Sequence, residues 1–135
     1  MLMRIEQNQR IALAHWTYNR EEWKSFIRWD KLRRGRLWYV VYYFLGKKET
    51  TIPEITITNK KIWIGNAVES FNDINKQIKR ITINDMGDLN ILEITYSILK
   101  NGISKSEEIR VPVPKGKLKE AIQVQESILD YSALG

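Results

Sequence analysis

The side chains that could do chemistry are few. His15 is the only histidine and there is no cysteine. Nucleophilic catalysis of the Ser-His or Cys-His kind would therefore have to pass through His15, and no serine sits in a nucleophile-elbow context. His15 alternates with Trp16 in a stretch that reads as a strand, which suits a structural or surface role. Glu21-Glu22 and Glu107-Glu108 are paired carboxylates. The first pair suits a helix N-terminus, where negative charge complements the dipole. The second is expected to flank the start of a strand. Neither has a visible partner for acid–base work. Asp85-Met86-Gly87-Asp88 has the look of a calcium loop but lacks the remaining ligands, so a turn is expected. No phosphate-binding glycine loop or metal-ligand spacing occurs. The expectation is a protein that is not an enzyme and has no cofactor.

The most unusual feature is a basic, aromatic segment from Arg20 to Lys48. Residues 1–50 hold 11 Lys/Arg against 5 Asp/Glu, and residues 51–135 hold 11 of each, so the whole net charge of +6 lies in the first part. Ten of the 14 aromatic residues lie there too. Arg33, Arg34, Arg36, Lys47 and Lys48 bracket LWYVVYYFL, and with Trp38 they are the candidate binding residues. The plainest reading is a solvated helix face beside a core strand. A second is a surface that meets anionic phospholipid, with aromatic rings at headgroup level. A third is single-stranded nucleic-acid binding, where bases stack on aromatic rings in a basic groove. A fourth is a protein partner or a homodimer formed through the aromatic surplus, since exposed aromatic patches mark interfaces.

The elements that must position these residues follow from pattern. Arg10 to Tyr18 is an expected strand. Asn19 is an expected helix N-cap, with Glu22 at capping-box spacing. The helix should run from Arg20 to about Arg34, burying Trp23, Phe26, Ile27 and Asp30, with Lys24 and Arg28 on its basic side. Gly35 is an expected stop. Leu37 to Leu45 is expected to be a strand buried on both faces, a helical segment being the alternative. Gly46 to Thr50 should be a loop. Ile52–Thr58 and Lys61–Ile64 should pair about Asn59-Lys60, with Ile55, Ile57, Ile62 and Ile64 inward and Trp63 outward. Gly65-Asn66 should turn, and Val68–Phe71 and Ile78–Asn84 should be strands with Ile81 and Ile83 inward.

The last third is the most regular. Leu92, Ile94, Tyr96 and Ile98 alternate with Glu93, Thr95 and Ser97, the period of a half-buried strand. Asn101-Gly102 suits a two-residue hairpin because both residues tolerate positive φ. The return strand should face Ile109, Val111 and Val113 inward and Glu108 and Arg110 outward. Pro112 and Pro114 place it at an edge. A closing helix is expected to bury Leu118, Ala121, Ile122, Gln125, Ile128 and Leu129 against the sheet.

At 135 residues, 43% hydrophobic and 28% charged, the chain fits a single folded domain spanning residues 1–135. Its longest apolar run, Leu37 to Leu45, is far short of the roughly 20 residues that cross a bilayer. The opening MLMRIEQNQR has no secretory h-region. A soluble cytoplasmic protein is expected.

From residue 52 to about 131 the order EITITNKKIWIG, a short strand, IKRITIND, LNILEITYSIL and EEIRVPVPKGKLKEAI resembles the bacterial pleckstrin-homology-like (PH-like) domains. Residues 1–50 do not match that family's core. The resemblance implies an α+β fold: a strongly bent antiparallel sheet or half-open barrel with a C-terminal capping helix, here joined by one N-terminal helix. It implies a binding or assembly module in place of an enzyme, and a location in the cytoplasm or at the periphery of the inner membrane. The phosphoinositide signature does not carry over residue by residue. Asn59-Lys60-Lys61 merely places two lysines beside a hairpin turn.

Overall fold

A computed structural model describes residues 12–33 and 52–134, with only the backbone of 31–33 and 133–134. Among these residues the elements are β1 (Ala14–Trp16), α1 (Arg20–Arg33), β2 (Ile55–Ile57), β3 (Lys61–Ile64), β4 (Ala67–Ser70), β5 (Lys76–Asp85), β6 (Asn90–Lys100), β7 (Ile103–Val113) and α2 (Leu118–Leu134). The fold is α+β. Two antiparallel sheets, β1-β2-β3-β4 and β5-β6-β7, carry it, and the described strands form no closed barrel. The expected Gly35 stop, the Leu37–Leu45 strand and the Gly46–Thr50 loop lie outside the described residues.

Alternation sets both registers. Ile55 pairs with Ile64 and Ile57 with Ile62, so four isoleucines share one face of the first sheet. Ile81, Ile94 and Ile109 form one row of the second sheet, and Ile83, Leu92 and Val111 form the next. All but the half-buried Ile83 are buried. Each such side chain taken from water contributes about 1.5–3 kcal/mol. The β6–β7 turn has positive φ at both residues, Asn101 at 54° and Gly102 at 78°, as a tight primed turn requires. Among the described strands β7 lies at the edge of its sheet, a position that tolerates the missing donor of Pro112.

Helix α1 begins as its sequence dictates. Glu22 N donates to Asn19 Oδ1 at 2.7 Å, and Asn19 N donates to Glu22 Oε1 at 3.0 Å, closing the capping box. The other oxygen of Glu22 accepts from Lys115 N at 2.7 Å, which ties the helix start to the β7–α2 connection. Trp23, Phe26 and Asp30 are buried, at the spacing of one helical face. Tyr18, Trp23, Phe26 and Trp29 meet in series, with centroids 5.4, 5.3 and 6.3 Å apart, the first two pairs tilted and the last stacked.

Two expectations are corrected. Arg110 does not face solvent. Helix α1 packs against β7 on the face opposite Ile109 and Val111, so Arg110 there is only 6% exposed. Ile91 and Thr95 on that same face are buried as well. The closing helix is also rotated from the expected stripe. α2 packs against β5 and β1 and buries Ala121, Val124 and Ile128, leaving Leu118, Ile122 and Leu129 each 40% or more exposed. Polar ties fix this rotation: Gln125 Nε2 donates to Ile81 O at 2.6 Å, and Trp16 Nε1 donates to Glu120 Oε1 at 2.8 Å.

Candidate functional site

The most densely charged buried point lies between α1 and the second sheet. Arg110 Nη1 donates to Asp30 Oδ1 at 2.9 Å, Nε to Glu93 Oε2 at 3.1 Å, and Nη2 to Glu108 Oε2 at 2.6 Å. Glu93 stands directly opposite Arg110 in the β6–β7 register, so the sheet itself aims two of these groups at one another. The indole of Trp29 lies 5.8 Å from the guanidinium carbon. Burial, opposed by the hydrogen bond and charge of Arg110, holds the Asp30 carboxyl above its ordinary value. Arg110 is held above its own ordinary value because hydrogen bonds and charge from Asp30 and Glu108 outweigh the cost of burial. Asp30 Oδ2 and Thr95 Oγ1 are buried with no hydrogen-bond partner. Asp30 and Arg110 are buried at the centre of this cluster, while the Glu108 side chain is 38% exposed at its rim. The cluster docks a helix on a sheet.

A separate open groove shares none of these residues. Its lining comes from four separated segments: Lys60 of the β2–β3 hairpin, Asn72 and Asp73 of the β4–β5 connection, Gln77 and Ile78 of β5, and Tyr131 and Ser132 near the end of α2. The cavity is about 690 Å³, within the range of small-molecule sites. Thr58 Oγ1 accepts from Lys60 N at 3.3 Å and Lys61 N at 3.1 Å, which shapes the hairpin. Lys60 Nζ then sits 5.7 Å from the centroid of the Tyr131 ring. Asp73 is already engaged, accepting from Ser70 Oγ at 3.1 Å and from Asn75 N at 2.8 Å. Ser132 Oγ in the lining and the neighbouring Asn59 Oδ1 are buried without partners. A cation, amides, a hydroxyl and an aromatic ring converge here. Such a set can hold a polar ligand by hydrogen bonds and charge. It contains no nucleophile paired with a base.

The residues singled out from sequence fare unevenly. Arg34, Arg36, Trp38, Lys47 and Lys48 lie outside the described residues, and of Arg33 only the backbone, at the end of α1, is described. His15 is exposed; its Nδ1 pairs with Thr56 Oγ1 at 2.8 Å, and Nε2 lies 3.7 Å from Glu54. Glu21 and Glu22 stand in the first turn of α1, as expected. Glu107 and Glu108 lie inside β7 and not at its start. Asp85 to Asp88 is a turn, with Gly87 N donating to Asp85 Oδ1 at 2.8 Å. Among the described residues no group of three or more His, Asp or Glu is placed to hold a metal ion, and no helix is long and apolar enough to cross a membrane. Sequence reasoning missed the groove because its lining is spread over some 70 positions, with only the Asn59-Lys60-Lys61 turn as a local signal.

Compared with known proteins, the chain matches no family model, no curated protein and no solved structure.

Proposed function

We propose that this chain is a non-catalytic binding or assembly module of PH-like architecture that works against an acidic partner surface. The observation that carries the reading is the order of elements. A four-stranded antiparallel sheet is followed by a three-stranded one and then by a C-terminal helix, with a groove left open between the β2–β3 hairpin, the β4–β5 connection and the end of that helix. Polar groups converge there without a nucleophile–base pair, which suits holding a ligand and not turning one over. The excess of positive charge favours an acidic partner.

The reading is tested by offering the protein two acidic surfaces and a panel of substrates. Co-sedimentation with anionic and neutral vesicles is run beside titration with a poly-pyrimidine oligonucleotide and broad hydrolase and transferase assays. Saturable binding without turnover supports the module. Binding to the oligonucleotide alone would move the reading to single-stranded nucleic acid. Turnover abolished by changing His15 or Glu108 would overturn it.

A further inference from the structure

Residues 99–106, the outer end of the β6–β7 hairpin, are exposed without exception. The arm carries Leu99 at 54% exposure and Ile103 at 60%, both large aliphatic side chains. Beside it stands Ile74, 98% exposed, in the turn before β5. The turn is fastened to the arm, because Leu99 N donates to Asn75 O at 2.8 Å. Three of the seven large exposed hydrophobic side chains among the described residues thus gather at one end of the second sheet. The register pairs Leu99 with Ser104 and Ile103 with Lys100, so the two side chains leave opposite faces of the arm, and the tip as a whole, not one face of it, is the contact surface.

Positive charge predominates around them, the one neighbouring carboxylate of the turn, Asp73, being engaged by Ser70 Oγ and Asn75 N. Residues 97–106 contain Lys100 and Lys105 and no carboxylate. Lys79 is the extra residue of a bulge between Ile78 and Arg80, and its Nζ reaches Ser106 Oγ at 3.4 Å, so it joins the same end. Among the described residues Lys79, Lys100 and Lys105 form no ion pair. Lys76 is partly neutralised by Glu69 at 3.7 Å and counts for less.

We infer that this arm and the adjoining turn dock on an anionic lipid surface, with Ile74, Leu99 and Ile103 entering the headgroup boundary and Lys79, Lys100 and Lys105 meeting lipid phosphates and carboxylates. Aliphatic tips flanked by unpaired lysines match both layers of such a surface, the apolar boundary and the negative charge above it. A nucleic acid is the poorer fit, because residues 74–80 and 97–106 hold no aromatic ring on which a base can stack. A protein strand added along β7, outermost of its sheet among the described strands, would have to pass Lys105, the kind of residue that discourages such pairing. The inference rests on the binding-module reading and names the surface that does the binding.

The test uses the full chain with phosphatidylcholine vesicles, with and without phosphatidylserine. Wild type should sediment with the anionic vesicles only. Each lysine at such a surface is worth roughly fivefold in partitioning, so Lys100→Glu/Lys105→Glu should lose at least that factor twice over. Leu99→Ser/Ile103→Ser should lose on the order of tenfold. All four positions are exposed, and unchanged melting of the variants confirms that the fold is intact. Absence of wild-type binding to anionic vesicles overturns the inference. So does binding by both arm variants equal to wild type, in which case the module reading survives on another surface, and Arg33→Glu/Arg34→Glu identifies it. A dimer broken by the arm variants, with no vesicle binding by wild type, assigns the arm to a second copy and overturns the lipid assignment.

Discussion

Arg110 and Asp30 lie 80 positions apart in sequence and 2.9 Å apart in space, joining β7 of the second sheet to the third turn of α1. Asp30 is fully buried and Arg110 nearly so, and one oxygen of the carboxylate has no partner. A pair of this kind does little for stability against an apolar pair of equal volume. Breaking it from one side leaves an uncompensated buried charge.

Arg110→Met should therefore cost about 3–5 kcal/mol. The double variant Arg110→Met/Asp30→Leu should recover part of that loss, since the buried charge of Asp30 is gone while Glu93 and Glu108 still lack their partner. Chemical denaturation of the three proteins measures the difference. A single variant that unfolds like wild type would show that the cluster does not hold α1 in place.

The pair also gives a pH dependence. The folded Asp30 carboxyl titrates above its ordinary 3.8, mainly through burial. A raised folded value means that the group's favourable contribution is complete below about pH 3.8 and is lost as pH rises through the folded value. Stability of wild type relative to Asp30→Asn should accordingly fall as pH rises from 3.8 towards neutrality. Thermal melts of both proteins across that range give the slope. Tyr18 behaves alike at the alkaline end. Burial first and the charge of Glu22 second push its hydroxyl well above 10.0, and the group donates to Pro112 O at 2.7 Å. Its contribution holds below pH 10 and is lost above it, so Tyr18→Phe should show a shallower alkaline decline.

The rotation of α2 is tested by two isosteric placements of one charge. Ile128 is fully buried and Ile122 is 41% exposed. Ile128→Asp should cost on the order of 3 kcal/mol or more, through burial of an unpaired carboxylate. Ile122→Asp should change stability by no more than about 0.5 kcal/mol, as exposed positions do. Equal costs at the two sites would contradict the observed packing.

At the start of α1, Glu22→Ala removes the acceptor for both Asn19 N and Lys115 N. A loss of about 1–2 kcal/mol is expected, larger than for a capping residue with a single role. Glu21→Ala, exposed and in the same turn, serves as the control and should cost about 0.5 kcal/mol or less.

What could be read from sequence was local. Asn19 and Glu22 three residues apart announce a helix start by hydrogen-bond geometry alone. Asn101-Gly102 between alternating runs announces a hairpin by φ alone. Leu92, Ile94 and Tyr96 reveal their face by period two. The failures all needed a partner distant in the chain. Arg110 alternates as a solvent-facing residue should, and only the arrival of α1 on that face buries it against Asp30. On α2, Ile122 and Leu129 are more hydrophobic than Ala121 and Val124, yet the smaller pair lets the helix approach β5 closely enough for Gln125 to reach Ile81 O. The groove is assembled from Lys60, Asp73, Gln77 and Tyr131, none of which is unusual in its own neighbourhood. The basic-aromatic residues Arg34, Arg36, Trp38, Lys47 and Lys48 stood out by composition, and composition does not place them.

The most direct test of a module that binds an acidic surface is amide chemical-shift mapping on isotope-labelled protein. The protein is titrated with bicelles containing an anionic lipid, then with neutral bicelles and with a poly-pyrimidine oligonucleotide. The account predicts shifts with the anionic bicelles alone, concentrated at Ile74, Lys79 and Leu99 to Lys105, with the amides of Asp30 and Arg110 unmoved. Shifts with the oligonucleotide alone, or none with any of the three, would contradict it.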